Sequence, residues 1–211
     1  QEALAVYRRM IQLDPNRETP YLGAAKVLRE AGKLDESEEL VKQVLRMQPS
    51  NPEGFTAMGD LLLDQENYPE AEKWFRKARD IDPNSSLAIT GLGNCLNRAG
   101  RLKEARDLLQ RGYEKDKNSQ ALVYNLAVVT ERSGDAKTAL KLYQESLKID
   151  PDHSMTWNNL GSLLDRGGRR EQAVKCIQKA RELDPDNVEA TYNLGALMLT
   201  QKKPNDAIPL L

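Results

Sequence analysis

The chain has 211 residues, of which 30% are charged, 39% hydrophobic and 5% aromatic. Its formal net charge of −1 lacks the basic footprint that displaces counterions from phosphate, which excludes a general nucleic-acid binder. No apolar run approaches the ~20 residues that span a bilayer, and a single histidine with two distant cysteines offers no transition-metal ligand set.

Proline sets the register. Pro15, Pro49, Pro83, Pro151 and Pro185 share one 34-residue period, with Lys117 in the remaining place. A strict period of that size marks stacked helical modules. The period divides the chain as one array: a partial repeat over 1–17, full repeats at 18–51, 52–85, 86–119, 120–153 and 154–187, and a truncated repeat at 188–211. The array opens inside a repeat and breaks off at Leu211 with Ile208, Leu210 and Leu211 uncovered, so the chain is expected to be a piece of a longer protein. Uncapped repeat ends also make self-association one expectation.

Each module predicts two helices, as 52–85 illustrates. Asn51 is a helix cap and Pro52 suits the first turn, where a missing N–H costs nothing. Phe55, Met58, Gly59 and Leu62 recur at helical spacing. A turn is expected at 65–68, with Pro69 opening the second helix. That helix carries Ala71, Trp74, Phe75, Ala78 and Ile81, and ends at Asp82–Pro83, because the residue before proline is pushed out of the helical region. Glycine at 32, 100, 134 and 168 marks the turn between helices, where a left-handed backbone is needed.

Small residues fill two columns. Ala25, Gly59, Gly93, Ala127, Gly161 and Gly195 form one; Ser37, Ala71, Ala105, Ala139, Ala173 and Ala207 form the other. Glycine inside a helix costs up to ~1 kcal/mol against alanine, so its repetition implies close helix approach. Gly161→Val is therefore expected to overpack that contact by roughly 1–3 kcal/mol. Three departures stand out. Lys115 and Lys117 replace an apolar residue and proline, which predicts early fraying of the helix before them and a soft joint. Val44 is bulky where alanine is usual, and Pro209 interrupts the last helix. Cys95 and Cys176 read as small buried groups in a reducing, cytoplasmic compartment.

At this point the chain resembles the tetratricopeptide repeat family. Its pattern is met at Trp157, Leu160, Gly161, Leu164, Ala173, Ile177, Ala180 and Pro185, and again at Phe55, Met58, Gly59, Leu62, Ala71, Phe75, Ala78 and Pro83. The resemblance covers the whole chain. It implies an all-α fold, a right-handed superhelical solenoid of antiparallel helix pairs, whose first helices line a concave channel for a partner's segment or helix.

No phosphate loop, activated nucleophile or metal-ligand spacing is present, so the chain is expected to be non-catalytic and without cofactor or metal. The expected function is a protein–protein interaction scaffold. Its expected concave-face contacts are Asn94, Asn97, Arg98, Tyr124, Asn125, Arg132, Asn158, Asn159, Asp165, Arg166, Tyr192 and Asn193. Asparagine offers a peptide backbone both donor and acceptor, and arginine a fork for carboxylates or carbonyls. Packed helices lie ~10 Å apart and an extended segment rises ~3.3 Å per residue, so one arginine column meets roughly every third residue. Family members that grip the acidic tails of heat-shock chaperones pair two asparagines with basic side chains. Asn94 and Asn125 match, but Thr90, Met155 and Asn159 stand at the basic positions, which disfavours that ligand. Charge steps from −4 over 52–85 to +3 over 86–119, a gradient able to orient a dipolar partner. The alternative is a substrate-targeting or regulatory arm of a larger enzyme, such as a protein glycosyltransferase, whose Asn-lined arms the Asn column resembles.

Overall fold

The computed structural model describes residues 2–200. Twelve α-helices run through them, with no strand among the described residues. They are α1 (Glu2–Leu13), α2 (Glu18–Glu30), α3 (Leu34–Met47), α4 (Pro52–Asp64), α5 (Tyr68–Ile81), α6 (Ser86–Arg98), α7 (Leu102–Lys115), α8 (Gln120–Arg132), α9 (Ala136–Ile149), α10 (Ser154–Arg166), α11 (Arg170–Leu183) and α12 (Val188–Thr200). The fold is an all-α repeat solenoid built of helix pairs. The chain divides into two compact units, one ending at Lys115 and the next beginning at Asp116. In the first, α1 to α7 each pack on the next helix, and α2 meets α4 and α4 meets α6; in the second, α8 to α12 do likewise and α10 meets α12.

Caps set where the first helices begin. The side chains of Asn51, Ser85, Ser119 and His153 accept from the backbone N–H three residues on, at Gly54, Ala88, Leu122 and Thr156. Asn187 does the same for Ala190, at 2.9 Å. Such caps satisfy donors that the first turn leaves unpaired. Between the paired helices the backbone turns left-handed at Gly32, Gly100, Gly134 and Gly168. The amide after Gly32 bonds back to Leu28 O at 2.9 Å, closing the helix end. At the equivalent place the second full module has Glu66, with φ of 58°, so a residue with a Cβ adopts the glycine conformation. Tyr68 rather than Pro69 is the first residue of α5, and Pro69 sits in its first turn.

The column of small residues is explained by what lies opposite. A Cβ on Gly59 would stand 2.7 Å from Phe75 Cζ, and one on Gly93 would stand 2.8 Å from Leu109 Cδ2. On Gly161 it would meet Ile177 Cγ1 at 2.5 Å and the Ala173 carbonyl oxygen at 3.1 Å. Phe75 is fully buried, and its ring also occupies the space beside Gly91 in the next first helix. Where the opposing side chain is the smaller Val41, the flanking residues are Ala25 and Ala57, and no glycine is needed. In these layers the small residue matches the side chain opposite, as close packing demands. The bulky Val44 is fully buried, and a Cβ on Gly54 would meet Leu45 Cδ2 at 2.9 Å and Val44 Cγ1 at 3.4 Å. Both cysteines are buried.

The early fraying expected before Lys117 does not occur. Helix α7 runs its full 14 residues to Lys115, and Asp116 Oδ1 accepts from Asn118 N–H at 3.2 Å. The aspartate organises the turn without proline. Ala207, Ile208, Pro209, Leu210 and Leu211 lie outside the described residues.

Candidate functional site

The first helices of each unit present one face made by the same positions of every repeat. In the second unit this face borders a cavity of about 450 Å³. Five side chains expected on the concave face, Arg132, Asn159, Asp165, Arg166 and Asn193, all line it, together with Glu131 and Tyr143.

The asparagines are already bonded. Asn159 Nδ2 donates to the Tyr124 hydroxyl at 3.2 Å, and Asn193 Nδ2 to Asn158 Oδ1 at 3.0 Å and Ser162 Oγ at 3.3 Å. These bonds tie α10 to α8 and α12 to α10. Asn125 Nδ2 turns back to Ala121 O in its own helix, at 2.8 Å. Asn158 is 2% exposed and Asn97 8% exposed. Those two belong to the interior, which corrects their placement on an open face. Asn94 is half-buried and Tyr192 is exposed.

The arginines differ from one another. Arg166 pairs with Glu131 on the preceding first helix. Glu131 also accepts from the Tyr143 hydroxyl at 2.6 Å, so one carboxylate joins α8, α9 and α10. Burial first, and then the bond to Glu131, hold the Tyr143 phenol well above its usual range. Arg98 has its guanidinium 6.0 Å from the centre of the Tyr68 ring. Arg132 is exposed and engaged within the fold. Asp165 Oδ1 is buried and lacks a hydrogen bond among the described residues, with Arg170 Nε 3.5 Å away. Asp165 lines the cavity while this oxygen is shielded and paired with Arg170.

Sequence reading missed Glu131 and Tyr143, although Glu131 directly precedes the named Arg132. It also missed the role of His153. Nδ1 of His153 accepts the Thr156 N–H at 3.2 Å and lies 2.6 Å from Thr156 Oγ1, so the neutral ring is the cap, with its proton on Nε2. The clue was positional: Asn51, Ser85, Ser119 and Asn187 occupy the same place in the other modules. Among the described residues no cluster of His, Cys, Asp and Glu suits a metal ion. No helix there is long and apolar enough to cross a membrane.

Fold and face together define a helical-repeat protein. Models of the tetratricopeptide repeat match residues 22–86 and 62–127. A model described as the middle TPR-like domain of cilia and flagella-associated protein 70 matches 123–209. The chain belongs to the tetratricopeptide repeat family. Among solved structures it is similar to the APC/C hetero-tetramer Cut9–Hcn1, with a TM-score of 0.89 and 17% identity over 99% of this chain and 42% of that one. It is also similar to TTC0263, a thermophilic TPR protein of Thermus thermophilus, with a TM-score of 0.77 and 18% identity over 87% and 100%. YrrB, described as a TPR protein with an unusual peptide-binding site, gives a TM-score of 0.55 and 23% identity over 93% and 97%. At these identities the likeness concerns the fold. The chain spans 42% of the length of the Cut9–Hcn1 chain it matches. No curated protein matches it.

Proposed function

We propose that the chain is a non-catalytic interaction scaffold whose first-helix face holds an extended segment of a partner protein. The observation that supports this reading is the convergence of Asn159, Asn193, Arg132, Arg166 and Asp165 on one cavity. Backbone amides of a segment meet the carboxylate and the asparagine oxygens, and its carbonyls meet the arginine forks. Asn94, Arg98, Tyr124, Asn125 and Tyr192 are further contacts in this reading. Treating all the repeats as one array, from the partial repeat at 1–17 to 188–211, is part of the same proposal.

The test is capture of partners from source lysate on the wild-type chain beside Arg132→Glu/Asn159→Ala/Asn193→Ala, with both folds checked by circular dichroism. A partner held by the wild type and lost from the folded variant supports this face as the site. A partner held equally by both moves the site elsewhere. An arm of a larger enzyme would use the same face, and the full-length sequence separates that reading.

A further inference from the structure

The first unit has its own cavity on the same face, about 590 Å³, and its chemistry is different. Where the second unit has Asn159 and Asn193, the floor here is Gly23 and Ala57, and Leu22 and Leu87 border it. Leu87 is 65% exposed, a large apolar side chain with nothing over it. The cations on the rim are already occupied. Arg29 pairs with Asp64 at 3.3 Å and Lys26 with Glu30 at 4.0 Å. Three lining carboxylates, Asp60, Glu53 and Asp82, have no ion pair among the described residues. Asp60 is the most shielded of them. Burial pushes its carboxyl up to about 6, against the pull of Arg29 and Lys26 and with the help of Asp64. A shielded carboxylate without a partner gains more from an arriving cation than a solvated one does.

We propose that this cavity is a subsite for a lysine or arginine side chain flanked by apolar residues, with Asp60 as counter-ion and Leu22, Ala57 and Leu87 as the apolar wall. The proposal rests on the reading that the first-helix face binds chain segments, and it assigns one part of that face a specificity. An acidic segment is the wrong ligand here, because it would meet Asp60, Glu53 and Asp82.

The probe is a library of random dodecapeptides panned on the folded wild-type chain. Selected peptides are then titrated by fluorescence anisotropy against the wild type, Asp60→Asn, and Asn159→Ala/Asn193→Ala. Asp60→Asn removes the charge at nearly constant shape and relieves a shielded carboxylate, so its fold is expected to hold. The expected result is enrichment of lysine or arginine beside apolar residues, with about tenfold weaker binding to Asp60→Asn. The asparagine variant reads the second unit's part of the face and should weaken binding of peptides with and without a basic residue alike. Selected peptides with no basic preference, or equal binding to Asp60→Asn, overturn the proposal. Loss on the asparagine variant alone keeps the scaffold reading and removes this subsite. Selection of no peptide, or binding indifferent to both variants, removes both.

Discussion

Gly59→Ala tests whether the repeats are held by size matching between layers. In an unobstructed helix this change gains up to ~1 kcal/mol of helix propensity. Here the added methyl would sit 2.7 to 2.9 Å from three atoms of the Phe75 ring. Comfortable carbon contacts are about 3.5–4.0 Å, so the ring must retreat by about 1 Å. It is fully buried, and its other side fills the space at Gly91, so there is little room to move. Overpacking of this kind costs about 1–3 kcal/mol, which outweighs the propensity gain and leaves a net loss of about 1 kcal/mol. Phe75→Val alone leaves a cavity and costs about 2–4 kcal/mol. The double variant recreates the arrangement of Val41 with Ala25, which the fold already uses one layer earlier. It should therefore be more stable than Phe75→Val, with a coupling of about 1–2 kcal/mol in favour of the pair. Urea unfolding followed by Trp74 fluorescence, in a Trp157→Phe background, reports on the first unit. A Gly59→Ala midpoint at or above the parent, or strictly additive losses, would refute the size-matching argument.

Glu66→Gly should stabilise the first unit. Left-handed backbone costs a residue with a Cβ about 1–2 kcal/mol, and the more flexible unfolded chain takes back about 0.4–1, leaving roughly 0.5–1 kcal/mol, readable as a higher urea midpoint. Gly161→Val should lose at least about 1–3 kcal/mol, because one of its obstacles is the Ala173 carbonyl, which no rotamer change can move; an unchanged midpoint contradicts this. The pKa of His153 is lowered in the fold, by burial against the opposing pull of Asp150. The neutral ring is therefore the stabilising form: its contribution is full above the unfolded value of about 6.5 and is lost as pH falls through the lower folded value. His153→Asn keeps a cap without a titration, so the acid-side loss of stability should shrink, and an identical pH profile would show that the cap is not its source. Burial, and then Glu72, push the Cys95 thiol up to about 12, and burial raises Cys176. Neither should react with a thiol reagent until the chain unfolds, and rapid native labelling would contradict their placement.

Most of the fold was legible because a repeat shows each structural solution several times. The proline register located the helix ends, and glycine columns marked turns and close approaches. What the pattern hid was compensation between residues. Val44 looked anomalous alone, yet it is fully buried, with Gly54 packed beside it and Leu45. Lys117 looked like a missing stop, yet the α7 end depends on the Asp116 turn rather than on proline. His153 looked like an isolated histidine because its role depends on a backbone amide three residues away.

The candidate site was harder to read because its partners do not lie in the columns that periodicity reveals. Across adjacent first helices, four bonded pairs are 35 apart: Arg29 with Asp64, Tyr124 with Asn159, Glu131 with Arg166 and Asn158 with Asn193. The repeat is 34, so each side chain reaches the neighbour one position earlier in the preceding module. Columns taken at 34 gather side chains of one kind and miss the complementary ones that satisfy them. The offset also explains which polar groups are left over. Arg98 finds Leu63 in that place and turns to the Tyr68 ring instead. Asp60 finds Ala25 on one side and Cys95 on the other, neither a cation. Groups the offset satisfies knit first helices together, and Asp60 is left without a cation in that register. On that argument Asp60 has a stronger chemical claim to a partner than the asparagines, whose amide donors the fold already uses.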